Sequence, residues 1–160
     1  MWETLLPGVQ HLQNIQPIMV HFPIAFLIGA ALFYVLAWIL KKEQIALTAF
    51  LLLMLGTLSA SAAVGTGLHA EEGVMVSQSV REHLLDHHEG LMLTTTGMSV
   101  VLSIWALWKR PFPEKGRPFF VLLLVAMLVV MSIGADYAAR MVYDYNAGGN
   151  ACSQPIEFTK

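Results

Sequence analysis

The sequence predicts an all-α membrane protein: four transmembrane helices in an antiparallel bundle, preceded by a short N-terminal amphipathic helix lying on the interface. Three observations carry that expectation. Residues of the AVILMFWYC set make up 56% of the 160-residue chain and charged residues only 12%, against roughly 25% charged in soluble domains. Its uncharged runs approach or exceed the roughly 20 residues needed to cross about 30 Å of hydrocarbon. Within those runs the apolar residues go all the way round the helix, where a soluble surface helix keeps a polar face.

The first 16 residues place Trp2, Leu5, Leu6, Val9, Leu12 and Ile15 at helical spacing ahead of Pro17, the pattern of an interfacial helix anchored by a tryptophan. They hold no Lys or Arg. A signal peptide needs a basic n-region, so span 1 is expected to stay uncleaved. That span, Ile18 to Leu40, is 23 residues without a formal charge, interrupted only by His21 and Pro23. Span 2, Ile45 to Leu68, has 24 such residues, and span 3, Gly90 to Trp108, has 19. Span 4, Pro118 to Ala135, has 18, and its apolar pattern continues past Asp136 through Tyr137, Ala138, Met141 and Val142.

Ser79 and Glu82 have the spacing of a capping box, which starts helix 3 well before its apolar part. The 29 residues after the cap, as far as Trp108, rise roughly 44 Å, so the charged turns holding Arg81, Glu82, Asp86 and Glu89 project beyond the hydrocarbon. The domain organisation is an interfacial segment over 1–16, a transmembrane domain over 17–145 and a polar outward tail over 146–160. Lys41, Lys42, Lys109, Arg110, Lys115 and Arg117 fall in the links between spans 1 and 2 and spans 3 and 4; Arg81, Arg140 and Lys160 fall on the other side. The six should face the cytoplasm. Both termini and the histidines would then face the periplasm of a bacterial inner membrane.

Several function classes drop out. A net charge of −2 gives no basic footprint for nucleic acid. The single Cys152 excludes an internal disulfide, a CxxC motif and covalent c-type haem. There is no nucleophile elbow, no Cys–His pair at one depth and no phosphate-cradling glycine loop. An electron carrier or accessory subunit fits better than a stand-alone catalyst.

Six histidines remain. His11 lies in the interfacial segment and reads as a solvated residue. For the others, helix rise converts sequence position into depth. His21 is 19 residues from Leu40 and His88 is 20 from Trp108, which puts both roughly 29 to 30 Å from the inner boundary. Asp136, 18 residues from Pro118, falls near that layer at roughly 27 Å. His69 and His83, 24 and 25 residues from their inner ends, form a second layer at roughly 36 to 38 Å. Ionisable groups in spans are rare and functional by default.

Two facing imidazoles suit one haem b. His21 and His88 are the expected axial ligands, with His87 and His69 adjacent, Arg140 and Arg81 near the propionates, and Tyr137, Asp136 and Glu89 around them. Gly29, Gly65, Gly67, Gly90, Gly97 and Gly134 would give the porphyrin room, or serve ordinary close packing. A bare transition-metal ion held by His21, His88, Glu71, Glu89 and Asp136 is the alternative. The third possibility is a scaffold without cofactor, its histidines satisfying helix-end carbonyls.

The run His21-Phe22-Pro23-Ile24-Ala25, the stretch from Thr66-Gly67 to Ala70-Glu71-Glu72, the pair His88-Glu89 and the close Arg140-Met141-Val142-Tyr143 occur in an order that resembles the bacterial four-helix transmembrane domain of unknown function 2231. Ala138-Ala139 stand where that pattern has a glycine pair. The resemblance covers nearly the whole chain. It implies a four-span bacterial membrane protein with His21, Glu71 and His88 at pattern positions. Relatives of this domain occur fused to or beside c-type cytochrome modules, which implies haem-linked electron transfer, with a periplasmic cytochrome, quinone or other membrane subunits as partners besides lipid.

Overall fold

Among the residues described by the structure, a computed structural model, every regular element is a helix. Those residues are 16–71, 76–145 and 147. The amphipathic helix expected ahead of residue 16, Glu72, the tail from 148 with Cys152, and the side chains of Ala70 and Glu71 lie outside them. Four helices are long and apolar enough to cross a membrane: Gln16–Leu40, Glu43–His69, Gln78–Trp108 and Arg117–Tyr143. These are spans 1 to 4, and they confirm the expected all-α bundle.

Local chemistry explains the boundaries. Span 1 is a short turn, Gln16–Met19, followed by the helix His21–Leu40. Pro23, which lacks an N–H, is accommodated in the first turn of that helix, where the amides have no intrahelical partner anyway. Lys41 then takes a left-handed conformation, φ 53°, and span 2 begins two residues later at Glu43. Its carboxylate complements the helix N-terminus, which moves the start ahead of the expected Ile45. Span 4 begins after Gly116, whose φ of 96° suits glycine. Arg117 and Pro118 open it, as proline's fixed φ favours.

Span 3 corrects one expectation. The cap is Ser77, not Ser79: the Ser77 hydroxyl accepts from the Val80 N–H at 3.4 Å, and helix begins at Gln78. Glu82 does not reach back to a cap, because its carboxylate accepts from the Gln78 amide at 2.7 Å. The first turns also contain a π-helical segment, Arg81–Leu85, which the sequence pattern did not foretell. π-bulges of this kind are frequent at functional sites.

Each span packs on its neighbours in chain order and span 4 closes back on span 1, leaving spans 1 and 3 on one diagonal. The core runs through Leu27, Ala30 and Tyr34 of span 1, Ala49 and Leu53 of span 2, Leu102 and Ala106 of span 3, and Phe120, Leu124 and Met127 of span 4. Spans 2 and 3 are joined inside the bundle by Thr57, whose hydroxyl donates to the Ser99 carbonyl at 3.3 Å and lies 2.8 Å from the Ser103 hydroxyl. Such hydroxyl pairs glue helices where apolar burial cannot, since lipid is as apolar as the core. A second cluster, Val80, Leu84, Leu85 and Met141, with Tyr137 against it, ties the projecting part of span 3 to the end of span 4.

Candidate functional site

The histidine end of the bundle is built on the contact between spans 3 and 4. Thr95, Ser99 and Ala106 are buried on span 3, and at 100° per residue His88 lies on the same face, about two to five turns before them. Its Nδ1 sits 2.8 Å from the carbonyl oxygen of Gly134 on span 4. A carbonyl only accepts, so Nδ1 carries the proton, and in the neutral ring Nε2 is the bare nitrogen. Gly134 makes the approach possible. A Cβ there would run into the Met92 methyl and stand 3.1 Å from the Leu91 Cβ. His87, one position earlier and exposed, stacks on Tyr137 with centroids 5.6 Å apart and planes 12° apart. His83 turns back onto its own helix, Nδ1 2.9 Å from the Ser79 carbonyl. Sequence reasoning missed this local bond. The four-residue spacing to Ser79, within one helix, is the signal that could have found it.

Of the other predicted residues, His21 and Asp136 fall near the depth of His88 and His69 farther out, but none of the three shares its direction. His21 is exposed, and the buried face of its helix, Pro23, Leu27, Ala30, Ala31, Tyr34 and Ala37, centres roughly 150° round from it at 100° per residue. Asp136 is exposed and stands roughly 160° from the buried face of span 4 by the same measure. His69, also exposed, lies opposite the buried alanines of span 2, Ala46, Ala49, Ala60 and Ala63. Glu89 is half-buried beside His88. Arg140 is engaged with Asp144, Nε to Oδ2 3.9 Å. The structure therefore brings together His88 with Gly134 and His87 with Tyr137. It does not bring His21, His69 or Asp136 to His88.

This geometry bears on the cofactors. Among the described residues no group of three or more His, Cys, Asp or Glu side chains is placed to hold a metal ion; the Glu71 side chain lies outside them. A haem between His21 and His88 of one chain would need a slot through the bundle. The glycines expected to open it do not. Gly65, Gly90 and Gly97 face open space with nothing within 4 Å of a would-be Cβ, while Gly134 is filled by Met92 and Gly67 by Gln16. Gly90 and Gly97 fall roughly 180° to 200° round the helix from His88. His21 and His88 therefore do not share an inward face of the single bundle.

Removing the His88 ring should cost a modest amount. The Gly134 carbonyl keeps its helical partner, so His88→Ala is expected to lower stability by about 1 kcal/mol, the net worth of one hydrogen bond. His21→Ala, on the outward face, should stay within about 0.5 kcal/mol. Thermal unfolding of the two variants in the same detergent checks the ranking.

The family described as a predicted membrane protein (DUF2231) matches residues 12–151. No curated protein matches the chain. No solved structure does either.

Proposed function

The chain belongs to the DUF2231 family of predicted membrane proteins, and from that premise we propose that it is a small accessory subunit of a larger membrane complex, working without a cofactor of its own. The observation that carries this reading is the direction of its polar groups. His21, His69 and Asp136 are exposed and aimed away from the bundle, near the depth where apolar surface ends. Ionisable side chains facing lipid are costly and usually find partners, and a neighbouring subunit supplies them. The inward imidazole of His88, meanwhile, is engaged in holding spans 3 and 4 together. On this reading the basic end lies in the cytoplasm of a bacterial inner membrane and the histidine end faces the periplasm.

The test is extraction of the full chain from its own membrane in a mild detergent. A partner recovered in fixed stoichiometry is expected, with no Soret band and no metal in this chain. His21→Ala combined with Asp136→Asn should abolish that recovery while leaving the isolated chain folded. Recovery of the chain alone, or no effect of the double variant, ends the proposal.

One observation favours a second reading, electron transfer through one haem b exchanging electrons with a periplasmic c-type cytochrome or quinone. Ligating histidines usually donate their other ring N–H to a carbonyl, which fixes tautomer and orientation, and His88 does so to Gly134. His88 Nε2 would be one axial ligand. The second would have to come from outside this bundle. A Soret band after haem supplementation that is lost in His88→Ala and kept in His83→Ala and His11→Ala would establish this reading over the first. Elemental analysis, with Glu71→Ala and Glu89→Ala, tests a bare metal instead, since carboxylates suit hard ions and are poor haem ligands.

A further inference from the structure

At the end opposite the histidines, the first turns of span 2 and the loop between spans 3 and 4 meet around an open cavity of about 290 Å³, lined by Glu43, Gln44, Leu47, Phe50, Arg110 and Pro111. Its wall is nearly all apolar. The guanidinium carbon of Arg110 stands 5.2 Å from the centroid of the Phe50 ring, a cation–π placement that keeps the charge beside the cavity. The level is that of a membrane interface. Trp108, 82% exposed, precedes Arg110 by two residues, and Trp38, 40% exposed, lies near the end of span 1; tryptophans belt the headgroup region.

Charge is gathered here too. Six of the nine Lys and Arg residues, Lys41, Lys42, Lys109, Arg110, Lys115 and Arg117, stand against two carboxylates, Glu43 and Glu114. Among the described residues none of the six is in an ion pair. Lys42 and Lys109 immediately precede the lining residues Glu43 and Arg110 and are exposed.

We propose that this groove is a specific site for one monoanionic phospholipid of the adjoining leaflet, its phosphate on Arg110 and an acyl chain along Leu47 and Phe50. An apolar slot beneath an unpaired cation at headgroup depth matches both halves of such a molecule, and basic pockets between transmembrane helices are a recurrent lipid-recognition device. Arginine binds phosphate oxygens through its planar fork. The carboxylate of Glu43 on the same rim disfavours a second headgroup charge, which selects a phosphatidylglycerol-like lipid over a polyanionic one.

The experiment titrates the full chain in neutral detergent with phosphatidylglycerol or with phosphatidylcholine of the same chains and counts retained lipid by native mass spectrometry. One phosphatidylglycerol should be retained in clear preference to phosphatidylcholine. Arg110→Gln should weaken that retention about tenfold, the loss of a charged hydrogen bond. Leu47→Trp, which fills the slot, should abolish it, and Lys115→Gln, in the same basic collar but outside the slot, should leave it unchanged. Equal retention of the two lipids, equal losses in Arg110→Gln and Lys115→Gln, or displacement by excess inorganic phosphate would each overturn the proposal.

Discussion

Replacing Gly56 by leucine is expected to force spans 1 and 2 apart and to cost about 3 kcal/mol or more, the upper range for overpacking a well-filled core. Gly56 is buried midway along span 2. A Cβ built there would stand 2.6 Å and 2.9 Å from the Leu27 Cδ2 and Cγ, and 3.3 Å from the Leu27 backbone nitrogen. The first two contacts could be relieved by a rotamer change, but Leu27 is 0% exposed and has little room to turn. The backbone contact can be relieved only by moving the helix. Close approach of this kind is how membrane helices gain packing energy in the absence of a hydrophobic drive between them. Gly56→Ala should fall between, about 1 to 3 kcal/mol. Adding Leu27→Ala to Gly56→Leu should restore part of the loss, because the two residues share one space and their effects cannot add. Unfolding of the parent, Gly56→Leu, Leu27→Ala and the double variant by a denaturing detergent measures the cycle. A Gly56→Leu protein as stable as the parent would show that the two helices do not approach as the structure has them.

The four spans were legible because a charge is too costly to leave in hydrocarbon, so charges mark where each helix may stop. That cost fixes ends and depth, which is why His21, His88 and Asp136 could be assigned to one layer by counting residues. It says nothing about direction. In a soluble protein the apolar stripe names the buried face; here Ile39 and Leu58, facing lipid at 67% and 69% exposure, are as apolar as Leu27 and Leu53 at 0%. Core and lipid pull on the same residue types, so the wheel of span 1 carries no mark that His21 points outward. Span 3 did carry one. His88, Thr95 and Ser99 recur at intervals of seven and four, a polar line that only an internal face tolerates, and His88 lies on it. The start of span 3 was misplaced for a different reason. Ser77 and Ser79 are two residues apart with hydroxyls 3.0 Å apart, and a spacing rule that asks only for a serine three residues before a glutamate selects the second. It does not see that Gln78 competes for Glu82.

The basic end should prove at least as sensitive as the helix crossing, because a single side chain holds it shut. Tyr34 is 0% exposed. Its ring lies 4.9 Å from that of Phe112 and 5.0 Å, edge to face, from that of Phe120, and Trp105 packs on Phe120 from the other side at 5.3 Å. Its hydroxyl donates to the Pro111 carbonyl at 3.1 Å, so span 1 grips both the loop after span 3 and the first turn of span 4. Tyr34→Ala removes all of this and leaves a cavity among rigid rings that cannot collapse into it. The expected cost is about 3 to 5 kcal/mol, as for other large aromatics cut back to alanine. Tyr34→Phe keeps the rings in contact and deletes only the hydrogen bond, for about 1 kcal/mol. The two variants thus separate ring packing from loop anchoring. Their readouts also differ in place: Tyr34→Phe should raise proteolytic nicking in the loop between Lys109 and Gly116 far more than it lowers global stability, while Tyr34→Ala should raise nicking and lower global stability together. Equal effects of the two variants on global stability would mean that the hydroxyl, rather than the aromatic cluster, holds this end of the bundle.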